Sequence, residues 1–327
     1  KRWMGVLFSV LLIICFAYGF NGLQSYNMSS ALEYYIPGYS ESSYPMIVGL
    51  ILAVGTGLII FGGVHRIGFI TSVMVPIMAG AYLLMGLFTI VTHLPQLPGV
   101  FAMILSEAFD FQAIFGGMAG SAVVIGIKRG LFSNEAGMGS APNAAASASV
   151  SHPAKQGMVQ VISVFIDTLL ICSATAMMLL LSGVQGEAGV LDGIPFVQKA
   201  ISANVGTWGI HFITASIFAF AFSSLIGNYY YAESNILFIK NNKVLLFVFR
   251  CTCLLAVFLG AQADFSLVWN LADITMGCMA IVNIIAILLL GNIALKVLKD
   301  YETQKKAGKN PVFKAENVGI KNTDCWK

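Results

Sequence analysis

The sequence predicts an all-α integral membrane protein with about eight transmembrane helices. Three observations carry this reading. Only 10% of the 327 residues are Asp, Glu, Lys or Arg, against about a quarter in soluble domains. The hydrophobic fraction is 57% and the mean hydropathy is +0.82, more apolar surface than a water-soluble globule of this size can hide. Apolar runs near the length that spans a bilayer, about 20 residues, recur along the chain. This composition excludes a soluble enzyme and a disordered chain, because disordered chains are polar and charged. A net charge of +3 excludes a nucleic-acid partner and leaves the lipid bilayer as the surrounding medium.

Reading from one charged cluster to the next places the spans near 3–22, 45–64, 70–92, 111–127, 156–182, 206–232, 244–262 and 266–295. The fourth is short and glycine-rich. The stretch 136–154 is also uncharged but rich in Ala and Ser, with Pro142 and Pro153, and is expected outside the bilayer core. Cytoplasmic loops carry the excess of Lys and Arg. With Lys1 and Arg2 inside and the spans alternating, 17 of the 18 basic residues fall inside and only Lys199 falls outside. Arg250 enters that count as a side chain long enough to snorkel to the cytoplasmic interface. A Lys-rich tail, 298–327, is expected to be cytoplasmic and partly disordered. The multi-pass chain starts directly on an apolar span with no signal-peptide pattern, and reads as part of a longer protein.

Five of the six cysteines (Cys15, Cys172, Cys251, Cys253, Cys278) sit in apolar runs and read as small buried side chains. Nothing in their spacing suggests a metal site or a cofactor.

Polar groups at bilayer depth are costly and mark function or helix contacts. Asn21, Gln24 and Asn27 lie in the outer half of the first span, with Gln24 and Asn27 on one face. Phe115-Gly116-Gly117-Met118-Ala119-Gly120 centres the shortest span, and its three glycines suit either a broken helix that exposes backbone groups or close helix packing. Ser223, Ser224 and Asn228 lie deep in the sixth span. They suit a small cation, or serines bonded back to their own helix. Asp167 and Asp273 lie well inside their spans, and a hydroxyl or amide partner is expected for each. A short echo links Phe16-Ala-Tyr-Gly-Phe20 with Phe218-Ala-Phe-Ala-Phe222, in spans predicted to run in opposite directions, as an inverted repeat requires.

The least membrane-like motif beside a span is Lys128-Arg-Gly-Leu-Phe-Ser-Asn-Glu-Ala-Gly-Met-Gly-Ser-Ala-Pro142. Taken alone it reads as a cytoplasmic loop with Glu135 paired to Arg129. Together with His152-Pro153, Phe165-Ile-Asp-Thr168, Gly227-Asn-Tyr-Tyr-Tyr-Ala-Glu233, Ile60-Phe-Gly-Gly63 with Arg66, and Asp273 with Asn283, it resembles the alanine or glycine:cation symporter family over almost the whole chain. The resemblance implies a LeuT-type transporter of two five-helix inverted repeats preceded by one extra helix, joined here at its fourth helix. Residues 1–94 would then hold the last three helices of the first repeat, 111–297 the second repeat, and 298–327 the tail.

What the resemblance implies about function is sodium-coupled import of a small neutral amino acid, with sodium as the coupling ion and no cofactor. Gln24 and Asn27 would hold the headgroup, Phe115 and Met118 would wall the side chain, and Gly116 and Gly117 would offer backbone. Ser224 would sit beside substrate or sodium and Ser223 beside sodium. Some relatives carry Trp where this chain has Asn228, which admits a larger polar substrate such as glutamine. Proton coupling is the alternative. A channel would need a continuous polar stripe. An enzyme would need a motif such as GxSxG, HExxH or a P-loop, and the sequence has none of these.

Overall fold

A computed structural model describes residues 2–62, 64–109, 118–186, 192–320 and 326, with the side chains of 64–72 and 118–123 excepted. Its described residues are helical, turn or irregular, with no strand among them. Six helices are long and apolar enough to cross a membrane: Arg2–Tyr35, Val73–Thr92, Pro153–Leu180, Trp208–Ile239, Lys243–Gly260 and Phe265–Lys306. Tyr44–Ile60 is apolar but shorter, at 17 residues. In the fourth predicted span, 111–127, the described residues form the helix Met118–Asn134, which runs seven residues past the expected end. We refer to these as spans one to eight in chain order, the last three being Trp208–Ile239 (six), Lys243–Gly260 (seven) and Phe265–Lys306 (eight).

Span one is the axis of the bundle. It starts as Arg2–Leu12, loosens into a π-helical stretch Ile13–Phe20, and continues as Asn21–Ser30. Leu12, Cys15, Phe16, Ala17 and Leu23 are essentially inaccessible, among the residues of the largest buried apolar cluster. Asn21, Ser25 and Ser29 recur every four residues and so share one face. That face zips onto span seven through Asn21 Nδ2 to Cys253 Sγ (3.3 Å), Ser25 Oγ to the Val257 carbonyl (2.6 Å) and Ser29 Oγ to the Ala261 carbonyl (2.8 Å). Gly22 and Gly260 let the two backbones touch at the centre of the zipper. This is the small-residue packing that replaces hydrophobic driving force between helices in lipid.

Span six crosses span one antiparallel. Ser9 Oγ donates to Asn235 Oδ1 (2.8 Å) at one end, and Tyr35 meets His211 and Thr214 at the other (2.8 and 3.1 Å). The echoing aromatic segments meet there, because Phe222 packs on the cluster that holds Phe16 and Phe20.

Caps explain where two spans begin. Asn242 Oδ1 accepts from the Val244 and Leu245 amides (2.8 and 3.2 Å), and His152 Nδ1 accepts from the Ala154 amide (3.1 Å) beside Pro153 at the first helical position. His152 is wholly buried, with Nε2 3.3 Å from Asp300 and its ring against Tyr301 and Phe313.

Several expectations are corrected. Over its described residues the tail is docked, not free: span eight continues to Lys306, and the segment after it bonds to 151–155 through Phe313 N to Ser151 O (2.9 Å), Ser151 Oγ to Pro311 O (3.0 Å) and Lys155 Nζ to Asn310 (2.6 Å). A lysine-rich composition hid a local docking sequence. Arg250 does not snorkel, because it reaches sideways to Glu233 and Tyr229 of span six (2.8 Å each), with the Phe61 ring beneath it. Lys128 and Arg129 are not free cytoplasmic charges but both pair with Asp273 (2.5 and 2.6 Å), nine residues along span eight from Asp264. Asp273 therefore has cationic partners from another helix where a hydroxyl or amide was expected, and Arg129 is not the partner of Glu135. Of the five span cysteines, Cys15 and Cys253 are buried, Cys172 is half-buried, and Cys251 and Cys278 face outward, since residues on an apolar run can face lipid as readily as the core.

Candidate functional site

The motif 128–142 is the hinge of the site. Its Ser133 Oγ donates to Asp167 Oδ2 (2.7 Å), and Asn134 Nδ2 donates to Thr168 Oγ1 (3.1 Å). Asp167 and Thr168 sit in a second π-helical stretch, Ile166–Cys172, a distortion that turns side chains toward a neighbouring helix. Asp167, half-buried, thus has the hydroxyl partner expected of it. Farther on, Asn283 Nδ2 donates to the Gly137 carbonyl (2.8 Å), and Asn143 Oδ1 accepts from Asn235 Nδ2 (2.9 Å). Gly139, at φ +94°, is pressed between Phe8 and Asn283, where any side chain would collide. Separate stretches of sequence are in this way bolted to spans one, five, six and eight.

Between these elements lies a cavity of about 380 Å³, within the range of small-molecule sites. Span one contributes Phe20 and Gln24; the hinge contributes Phe132, Ser133 and Glu135; span six contributes Ser224, Gly227, Asn228 and Tyr231. The Phe20 and Phe132 rings lie 4.8 Å apart, and Phe16 packs edge-on against Tyr231 at 5.6 Å, so aromatic rings alternate with polar side chains around the cavity. Asn228 is 6% exposed, and its Nδ2 has no hydrogen-bond acceptor among the described residues.

Of the residues predicted from sequence, Gln24, Ser224 and Asn228 come together here. Asn27, one turn beyond Gln24, is half-buried and does not line the cavity. Asn21 points to span seven and is helix glue. Ser223 Oγ donates to the Phe220 carbonyl (2.8 Å) on its own helix and also lies outside the lining. Phe115, Gly116 and Gly117 fall outside the described residues, and Met118 is described only as the first residue of its helix. The expected break at the glycines is therefore described only from Met118 on, where the backbone is continuous helix.

Glu135, Phe132 and Tyr231 are lining residues that sequence reasoning missed. Glu135 carries the one positive φ of a non-glycine among the described residues, +55°, in a region that favours Asn, Asp or Gly over Glu. Burial pushes its carboxyl above the usual carboxylate range; the nearby Ser140 hydroxyl acts the other way, and the Asp167 charge adds to the rise. The Ala-Gly and Gly-Ser punctuation after it was the available signal, since it marks backbone that leaves the helical region.

Long apolar helices crossing one another, tied by side-chain hydrogen bonds around a small polar cavity, define an all-helical multi-pass membrane protein. Comparison with known proteins supplies the family. The sequence model of the sodium:alanine symporter family matches residues 1–315, and the chain belongs to that family. Over all 327 residues it is 46% identical to the amino-acid carrier protein AlsT of Bacillus subtilis, covering 69% of that protein. It is likewise 46% identical to the probable sodium/glutamine symporter GlnT of the same organism, covering 67% of it. Over 298 residues, 86% of this chain and 67% of the relative, it is 38% identical to the sodium/proton-dependent alanine carrier protein of Bacillus sp. strain PS3.

Proposed function

We propose that this chain is the larger part of a cation-coupled importer of a small neutral amino acid, working by alternating access in the cell membrane. The observation that carries the reading is the cavity where Gln24, Ser224 and Asn228 meet aromatic walls between spans one and six. Three kinds of support converge on it. The size suits an amino acid, polar groups from three elements converge on the space, and the relatives' names describe amino-acid carriers and sodium or proton coupling. The architecture we assign is LeuT-type, with 1–94 completing a first repeat, 111–297 forming the second and 298–327 as the tail. Spans one and six, antiparallel and in contact, are then the third helices of their repeats. Three upstream helices would complete the first repeat.

In this assignment Phe115, Gly116, Gly117 and Met118 wall the substrate only after the bundle rearranges, since Met118 begins the helix whose last turn carries Phe132; Asn27 reaches the headgroup in the same rearrangement, and Ser223 with Ser224 serves sodium. A serine that donates to a helix carbonyl keeps its lone pairs for a cation. Sodium-gradient-driven uptake of radiolabelled alanine and glutamine by proteoliposomes holding the full-length protein tests the reading. Uptake that ignores both sodium and proton gradients would sink it.

Two predictions follow from particular residues. Asn228→Trp in the full-length protein is expected to raise KM for glutamine at least about tenfold more than for alanine, because the indole fills space that a long side chain needs. An equal loss for both substrates would remove Asn228 from the side-chain pocket. A single cysteine at Glu41 is expected to react with a membrane-impermeant maleimide in intact cells, and one at Lys305 only after the cells are permeabilised. Labelling from one side would overturn the alternation.

A further inference from the structure

The start of span five is held by the chain's own tail. Span five divides into three parts. Its last part, Ser173–Leu180, is anchored: Ala174 and Met178 are buried, Thr175 Oγ1 bonds the Tyr82 hydroxyl of span three (2.8 Å), and Asn204 Nδ2 donates to the Met178 carbonyl (2.7 Å). Its middle is the π-helical stretch Ile166–Cys172, the kind of distortion at which helices bend. Its first part, Pro153–Phe165, has no buried residue. It stands off from span eight across an apolar groove of about 660 Å³, with Gly157, Met158 and Val161 on one side and Val297 and Leu298 on the other. Among the described residues, the polar ties of this first part to other elements are at its tip. His152 caps it and meets Asp300. Residues 310–313 then bridge from span eight to span five. Gln304 of span eight exchanges two hydrogen bonds with Val312 (3.0 Å each), and Ser151 and Lys155 bond Pro311, Phe313 and Asn310. The Phe313 ring, 6% exposed, packs edge-on against His152 and Trp326.

We propose that residues 310–313 are a releasable strap: docked, they hold the first part of span five to span eight, and they undock during the transport cycle so that this part swings about the π-helical stretch. This rests on the transport reading but concerns residues outside the cavity. The π-helical stretch is also where span five meets the site. Asp167 and Thr168 bond Ser133 and Asn134, and Ser133 lines the cavity, so a swing about that stretch pulls on the cavity wall. The chemistry of the strap suits release. Its bonds to span five and the residue before its cap come from one lysine, one hydroxyl and one backbone amide, and water replaces each of these when the strap leaves. Phe313 supplies one buried ring that favours its return. A permanent brace would be built instead from apolar side chains interdigitated between the two helices, where this structure leaves the groove.

The experiment uses the full-length protein in proteoliposomes, with Lys155→Cys and Asn310→Cys joined by a short, reducible bis-methanethiosulfonate linker. Cross-linking keeps the strap docked, so alanine uptake should fall at least about tenfold, as when a gating motion is blocked, and dithiothreitol should restore it. Each single-cysteine variant treated alike should keep its uptake. Uptake that survives cross-linking would show that the strap stays docked throughout the cycle, and would overturn the proposal. Hydrogen exchange on the wild type tests the same point without substitution. The amides of 312–315, that of Phe313 among them, should exchange at least about threefold faster with sodium and alanine present than with neither, because undocking exposes them. Equal exchange would overturn the proposal too, even where the double variant does not fold. Wild-type protein that fails to transport amino acids at all would sink the functional reading instead, so the two failures are distinguishable.

Discussion

Gly260→Leu is expected to leave no stable helix bundle, the largest effect of any single substitution considered. A Cβ at Gly260 would meet the Gly22 carbonyl oxygen, and would lie 2.5 Å from the Gly22 Cα and 2.8 Å from its carbonyl carbon. These are backbone atoms of span one, so no flexible side chain can move aside. The spans must separate, and with them go the three hydrogen bonds from Asn21, Ser25 and Ser29 to span seven. Each is worth about 0.6 kcal/mol or somewhat more in a membrane protein. The lost packing adds to this, and overpacking a tight contact costs about 1–3 kcal/mol before any larger rearrangement. Gly55→Ala is the control, because open space surrounds that position. Thermal unfolding in detergent, followed by size-exclusion chromatography, should show Gly55→Ala unchanged and Gly260→Leu aggregated. Equal behaviour of the two would refute the close crossing.

The second large effect is expected at Asp273. Its side chain is 8% exposed and accepts both Lys128 and Arg129, and the Arg129 guanidinium also lies 4.2 Å from the Trp269 ring. Asp273→Ala would leave two like charges facing one another without a counterion. Removing one partner of a fully buried ion pair costs about 3–5 kcal/mol, and less is expected here because Lys128 and Arg129 are 38% and 35% exposed; replacing the whole group by apolar residues is often neutral. The single variant should therefore melt well below wild type, and the triple variant Lys128→Met, Arg129→Met, Asp273→Leu should recover most of the loss. If Asp273→Ala melts like wild type, the cluster contributes nothing to stability.

These two sites differ in how far sequence reasoning could reach them. Asp273 was conspicuous, since an acid inside an apolar run must find a partner. Its partners could not be read, because Lys128 and Arg129 stand 144 or more positions away in sequence and looked like ordinary cytoplasmic orientation signals. Gly22 and Gly260 gave no sign of their pairing at all. Helix periodicity says which residues share a face, but not which helix that face will meet. For the same reason Asn21 looked like a companion of Gln24, when one helical step sends Asn21 to span seven and Gln24 to the cavity.

The cavity shows the same division. Gln24, Ser224 and Asn228 were legible because polar groups at bilayer depth are expensive and few. Phe132 and Tyr231 were not, because aromatic residues in an apolar chain carry no such contrast. Glu135 was read as a loop acid beside Arg129, since proximity in sequence was the only guide to its partner.

The amino-acid sequence by itself determined the class of protein, the positions of its apolar helices and the small set of polar residues from which a site could be built. These follow from the cost of placing charge or unpaired backbone in lipid, a cost that acts on each segment separately and so leaves its mark locally. Only the tertiary structure decided which polar groups became glue, which became ion pairs and which were left facing a cavity. Those outcomes depend on contacts between helices far apart in the chain, where a fraction of a turn or a single glycine selects the partner, and no local pattern records that choice.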